Sequence, residues 1–166
     1  MPIIIDRLNR WRHSRGFGIH SPFAFRFVTE VLCQQLPYYA YARIGRDKRL
    51  RLLFRLIVEF QPERVSILSA QPEFLERTVQ LAMPRAIITD EAPAMLVIDA
   101  ADTPADTCAR LLAGGPHALI LNATRKEAAA IKKAVPHGMT FDNQRGTIVV
   151  AAHRHLPLQH FTATFA

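Results

Sequence analysis

From residue 65 onward, short apolar runs alternate with segments whose apolar residues recur at helical spacing. Residues 65–68 predict a buried strand, and residues 74–81, after a turn at 69–72, predict a helix. The same reading predicts further strands over 86–89, 94–99, 117–122, 139–142, 146–152 and 160–165, and helices from 103 or 104 to 112 and over 124–135. The near-continuous apolar runs at 95–98 and 118–121 are typical of parallel strands covered on both faces. The pattern therefore predicts a three-layer α/β sandwich, mostly parallel, with an antiparallel hairpin across 143–146.

The first 64 residues have a different, helical pattern. An amphipathic helix is predicted over 3–11, another from Pro22 to before Pro37, and a third over 46–60. Ser21 before Pro22 is the expected N-cap with proline at the first helical position. We therefore expect a helical extension at 1–64 and an α/β core at 65–166, packed together as one unit.

The basic charge of the chain is concentrated in that extension. Residues 1–64 contain 12 Lys/Arg and 5 Asp/Glu, whereas residues 65–166 contain 9 of each. A basic segment can bind nucleic acid or another anionic surface. The alternative, which we favour, is a solvated helical face.

Composition excludes several classes of protein. No apolar run approaches the ~18–20 residues of a membrane helix, and no signal-peptide pattern is present at the N-terminus. Cys33 and Cys108 lack metal-type spacing and are predicted to be buried free thiols in a reducing compartment. We therefore expect a cytoplasmic protein with no membrane partner.

Several segments together resemble a known family. They are Arg15-Gly-Phe-Gly-Ile-His-Ser-Pro-Phe-Ala-Phe25, Tyr38-Tyr-Ala-Tyr41, Leu52-Leu-Phe-Arg-Leu56, Phe60-Gln-Pro62, Leu96-Val-Ile-Asp99 and Gln159-His-Phe161. In this order, along most of the chain, they resemble a bacterial subfamily of the class I S-adenosylmethionine-dependent methyltransferases. The resemblance implies a Rossmann-like sheet with a C-terminal antiparallel hairpin.

The chain departs from this family where the cofactor would bind. The family's first strand ends in an acidic residue and a glycine-rich loop, but the matching positions here are Ser69, Gln71 and Leu75. Side chains would then fill the space that the ligand needs. Only five residues separate Thr89 from Met95, so about one outer strand and its helices are missing. The resemblance assigns Ser69, Gln71 and Asp90 to a degenerate cofactor site, with Asp90 or Glu91 in place of the ribose-binding acid.

The catalytic candidates that the resemblance implies are Asp99, at a strand end, and His20, beside a helix start. Two groups of residues could each hold a metal ion, but each has a simpler role, and we predict that the chain has no metal site. Asp99, Asp102 and Asn122 could hold magnesium, but Asp102 with Thr103 could instead cap a helix. His153, His155 and His160 could hold zinc but could equally be surface residues.

The resulting hypothesis is a shortened, degenerate methyltransferase-like protein, without catalytic activity and without a bound cofactor. It would act as a binding or scaffold module whose partner the sequence does not identify. One alternative is an active methyltransferase that uses S-adenosylmethionine on a small hydroxylated substrate. Another is a nucleic-acid-binding module or a homodimer, since the missing strand would leave a sheet edge to be covered.

Overall fold

The computed structural model describes residues 20–165, which form a single seven-stranded sheet. The strands are β1 (Arg64–Leu68), β2 (Ile87–Ile88), β3 (Met95–Asp99), β4 (His117–Leu121), β5 (Met139–Asp142), β6 (Ile148–Ala151) and β7 (Gln159–Thr162). Their order across the sheet is β2-β1-β3-β4-β6-β5-β7. β1 to β4 are parallel, β6 is antiparallel to both of its neighbours, and β7 is parallel to β5. The predicted helix at 3–11 lies outside the described residues.

The helices begin where the sequence supplies capping residues. They are α1 (Pro22–Arg26), which continues as a π-helical segment (Phe27–Leu32), α2 (Tyr41–Ile44), α3 (Lys48–Phe60), α4 (Glu73–Ala82), α5 (Ala105–Ala113) and α6 (Arg125–Ala134). The Ser21 hydroxyl accepts the Ala24 N–H at 3.3 Å, and Asp47 caps α3. Thr124 and Glu127 form a reciprocal capping box at α6. These side chains satisfy amides that a helix start leaves unpaired.

Helices cover both faces of the sheet, as the apolar strands predicted. Met95 and Val97 of β3 face a core shared with α1, α3 and α4, whereas Leu96 and Ile98 face a core shared with α5 and α6. All four side chains are fully buried. The fold is thus a Rossmann-like α/β sandwich with a mostly parallel sheet, and the predicted hairpin of β5 and β6 is confirmed.

Aromatic packing holds the N-terminal helices on the sheet. The Phe27 ring lies 5.5 Å from Phe23, 5.6 Å from Phe60 and 5.0 Å from Phe141, measured between ring centroids. Phe27 is fully buried, and Phe141 belongs to β5. The helices of residues 22–60 therefore share their apolar core with the sheet.

Several elements differ in extent from the prediction. The first described helix ends at Leu32 rather than near Pro37. The Arg55 side chain donates hydrogen bonds to the carbonyls of Val31 and Leu32, so these carbonyls do not accept from amides of a further helical turn. β2 has only two residues and lies at the sheet edge, where Ile87 is 58% exposed. β7 begins one residue early and ends at Thr162. The short helix α2 was not predicted, whereas the other described elements follow the predicted order.

Two glycines with the same φ provide a test of the packing around β5. Gly45 and Gly138 both have φ +86°, but a Cβ at Gly45 would meet open space, whereas one at Gly138 would overlap the backbone of Ala151 in β6. Gly45→Ala is expected to lower the free energy of unfolding by ~1–3 kcal/mol through its backbone conformation alone. Gly138→Ala should cost at least ~1 kcal/mol more because of the overlap. Urea denaturation of both variants checks this; equal losses would contradict it.

Candidate functional site

The polar residues predicted to form a site lie along one edge of the sheet. Because β1 to β4 are parallel, their carboxyl ends meet at the same edge, which is where α/β sheets bind ligands. Ser69 follows β1, Asp90 follows β2, Asp99 ends β3 and Asn122 follows β4. The structure therefore brings four of the sequence-predicted positions to a common edge.

Asp99 and Asn122 form a direct pair across neighbouring strands. The Asn122 side-chain amide donates to both Asp99 carboxylate oxygens, at 2.8 and 2.9 Å, and the Ala101 backbone N–H donates to Asp99 at 3.1 Å. Asn122 holds a left-handed backbone with φ +56°, a conformation that asparagine tolerates better than most residues. Both oxygens of the candidate catalytic carboxylate are thus engaged by the protein itself.

The loop after β1 is held by side chains of the same chain. The Ala70 N–H donates to the Asp102 carboxylate at 2.8 Å, and the Gln71 N–H donates to the Ser69 hydroxyl at 3.2 Å. The interpretation of Asp102 as a helix cap is therefore wrong. The N-cap residue of α5 is Pro104, and α5 has no side-chain cap. The carboxylate reaches across from the β3 loop instead. Sequence reasoning missed this contact because 32 residues separate its partners.

Asp90 is also engaged, by a residue of β1. The buried Ser66 hydroxyl donates to the Asp90 carboxylate at 2.5 Å, although the rest of Asp90 is exposed. Ser66 lies in the middle of its strand, and its hydroxyl needs a partner because a buried polar group without one is costly. Asp90 supplies that partner.

His20 lies apart from Asp99. His20 is exposed and stands one turn before Phe23, whose ring packs 5.2 Å from His153. His153 follows β6, and since β6 is antiparallel, its end lies beside the amino ends of the parallel strands. Asp99 lies at the opposite edge. The structure does not bring these two catalytic candidates together.

The histidines predicted for a zinc alternative are separated as well. The ring centroids of His153 and His155 are 5.5 Å apart. His160 lies on β7, where its Nδ1 forms a hydrogen bond of 2.7 Å with the Thr140 hydroxyl of β5. Among residues 20–165, no three His, Cys, Asp or Glu side chains are grouped so as to share a metal ion.

A half-buried histidine that the sequence analysis did not single out, His117, lies beside His153. The His117 ring stacks on Phe60 with centroids 4.0 Å apart and lies 4.9 Å from His153. Its Nδ1 accepts the Ala152 N–H at 3.1 Å. Burial, reinforced by His153, lowers the pKa of His117 to about 4. His117 is the first residue of the apolar strand β4. The sequence pattern predicted that strand but not the contacts of His117 with Phe60 and His153.

The described part of the chain contains several cavities. They measure about 350, 550, 200 and 430 Å³. None of these four has Ser69, Gln71, Asp90 or Asp99 among its walls.

No helix in the described part of the chain is long and apolar enough to cross a membrane.

The burial of His117 predicts a specific pH dependence of stability. Its pKa is near 6.5 in the unfolded chain and about 4 in the folded protein, so the unfolded state binds more protons between these values. The free energy of unfolding should fall as the pH decreases from 6.5 toward 4. His117→Asn, which keeps an acceptor for Ala152, should remove up to ~3 kcal/mol of that fall. Urea titrations across this range measure it; an unchanged slope would refute the assignment.

The Asp99–Asn122 pair predicts a second charge-dependent effect. Asn122→Asp tolerates the same backbone but sets two carboxylates against each other, so at pH 7 it should destabilise the fold by ~1–3 kcal/mol. Gln144→Glu is the matched control, because Gln144 has a similar φ of +59° but is exposed on a turn. A similar loss in both variants would show that the pairing is not responsible.

Comparison with known proteins leaves the fold and the site to be interpreted from the chain itself. No protein-family model matches the sequence, and neither a curated protein nor a solved structure matches it. The likeness to class I methyltransferases therefore rests on the segments quoted above. Any function has to be argued from the strand-end residues and the cavities.

Proposed function

We propose that this protein is a degenerate methyltransferase-like binding module that neither binds S-adenosylmethionine in the family's manner nor transfers methyl groups. The observation that carries the proposal is the hydrogen bond from the Ala70 N–H to Asp102. It places the chain's own carboxylate on the loop where the family's cofactor would lie.

Charge supports this proposal from two directions. Ser69 replaces the acid that would hold the cofactor's ammonium group, so that attraction is lost. The cofactor's carboxylate would meet Asp102 already bound to the loop, and like charges at this distance repel. Glu73 and Glu76 in the first turn of α4 add to the repulsion. Both charged ends of the amino-acid part of the cofactor are therefore disfavoured.

The nucleoside part would meet groups that already have partners. Asp90, the position of the ribose-binding acid, accepts from Ser66, and freeing it would leave a buried hydroxyl unpaired. Asp99 is held by Asn122 through both oxygens. A ligand would have to replace each of these bonds before gaining any, which lowers its net affinity.

A binding role is compatible with the complete seven-stranded sheet and does not require catalysis. The α/β frame remains a rigid support for surface sites even when its strand-end residues bind one another. The reduced thiols Cys33 and Cys108 suit a cytoplasmic location, which belongs to the same proposal.

Isothermal titration calorimetry with S-adenosylmethionine and its demethylated product tests the proposal. We expect no saturable binding up to ~1 mM ligand, where a functional cofactor site would saturate. In a ¹⁵N NMR titration, the Ala70 and Gln71 amide signals should stay in place. Micromolar binding with competition between the two ligands would overturn the proposal.

A pair of variants isolates the contribution of Asp102. Asp102→Asn removes the negative charge at the loop but retains an acceptor, whereas Asp106→Asn removes a charge from the exposed first turn of α5. If Asp102 helps to exclude the cofactor, the Asp102→Asn variant should bind S-adenosylmethionine weakly, and the Asp106→Asn variant should bind it less or not at all. Stronger binding in the Asp106 variant would contradict the role given to Asp102.

A further inference from the structure

A basic cavity of about 550 Å³ lies between the π-helical segment, α3 and the turn that joins β5 to β6. Its walls are Leu32, Cys33, Gln34, Gln35, Tyr41, Lys48, Arg51, Arg55, Arg145, Thr164 and Phe165. The volume falls within the ~300–1,000 Å³ typical of small-molecule sites. The cavity is thus large enough for a small metabolite and separate from the strand-end residues discussed above.

Four cationic side chains converge on this cavity. Lys48, Arg51 and Arg55 recur at i, i+3 and i+7 along α3, which puts them on one face of that helix. Arg145 comes from the β5–β6 turn, so residues far apart in sequence supply the same charge. No Asp or Glu of the described chain is among the walls.

These cations lack carboxylate partners in the described residues. The salt bridges there join Arg26 to Glu30 and Glu59, and Lys132 to Asp142. Asp47, next to Lys48, accepts instead from two backbone amides at the start of α3. The positive charge of the cavity is therefore not neutralised by those acidic groups.

Arg55 is the most deeply placed of the four cations. Arg55 is only 8% exposed. Its guanidinium group donates hydrogen bonds to the Val31 carbonyl at 2.6 Å, the Leu32 carbonyl at 3.1 Å and the Tyr41 hydroxyl at 3.1 Å. All three acceptors are neutral. A guanidinium has five N–H donors, so two remain for a ligand. Burying a charge with only neutral partners is costly, and an anion in the cavity would offset that cost.

Arg51 is also fixed before any ligand arrives. Its Nε donates to the Gly45 carbonyl at 2.7 Å, and its guanidinium lies over the Tyr41 ring, 4.8 Å from the centroid. This leaves the terminal nitrogens of Arg51 to act as donors. Planar guanidinium groups held in this way match the oxygen geometry of phosphate, and little side-chain entropy is lost on binding.

The cavity also offers an acceptor. Gln34 lines both this cavity and the 200 Å³ cavity, and its Oε1 atom has no hydrogen-bond partner among the described residues. A hydroxyl group on the ligand would satisfy it, whereas a bare inorganic anion without a proton to donate would not. Leu32 and Phe165 add apolar wall beside these polar groups.

We propose that this cavity binds a small, hydroxylated organic phosphate. The phosphate would contact Arg51, Arg55 and Arg145, and a ligand hydroxyl would donate to Gln34. The proposal does not rest on the proposed function, because the cavity does not include the strand-end residues. A nucleic acid is disfavoured because its phosphates bind basic surfaces, whereas Arg55 lies inside the fold.

Calorimetry with ribose 5-phosphate, with ribose and inorganic phosphate as reference ligands, tests the proposal at low salt. Ribose 5-phosphate is expected to bind more tightly than either reference. Arg145→Gln and Arg51→Gln should each weaken binding ~10–100-fold, the usual effect of losing one charge-assisted hydrogen bond. Arg49→Gln removes the same charge from the exposed surface of α3 and should change affinity less than ~2-fold.

The controls separate a site from general basicity and from misfolding. Arg145 lies on an exposed turn, so its substitution should leave the unfolding transition unchanged, and circular dichroism checks this. The absence of binding by the unmodified protein would overturn the proposal. So would an equal loss in the Arg49 variant, or preferential binding of a single-stranded oligonucleotide with a steep salt dependence.

Discussion

The burial of β3 and β4 on both faces is the constraint on which the rest of this structure depends. From Met95 to Ile98 and from Ala118 to Ile120, every side chain is fully buried, so no polar group can lie within these strands without a partner. In β3 and β4, polar side chains are therefore confined to the strand ends and to the loops beyond them. Asp99 and Asn122 are the first residues along β3 and β4 that reach this zone, and they bind each other there.

At the strand-end edge, acidic side chains bind groups of the chain itself. Asp90, Asp99 and Asp102 each accept hydrogen bonds from the chain, through Ser66, Asn122 and Ala70 respectively. None of these bonds replaces an element of the core. Each one lowers the free energy of the folded protein and raises the cost of admitting a ligand, because the ligand must compete with it. Internal stability and ligand access are thus in direct opposition at this edge.

The sequence predicted the repeating parts of the fold because their signals are local. Hydrophobic periodicity predicted the order of strands and helices, and short-range polar patterns predicted the cap at Ser21. The predicted end of the helix that begins at Pro22 was wrong because Arg55, more than twenty residues away, donates hydrogen bonds to the carbonyls of Val31 and Leu32. The interpretation of Asp102 as a helix cap was wrong for the same reason: its partner lies in another loop. Contacts between distant side chains leave no periodic signature, and His117 stacking on Phe60 belongs to this class.

The excess of basic residues in the N-terminal part of the chain is visible in the sequence, but its meaning depends on the fold. In residues 1–64, a solvated helical face and a binding surface have the same composition. Folding separates the two: Arg49 is exposed on α3, whereas Arg55 on the same helix is buried against the end of the π-helical segment. Arg145 then adds a cation from the half of the chain whose charges balance. The number of basic residues in α3 therefore does not reveal that Arg55 is buried while Arg49 is exposed.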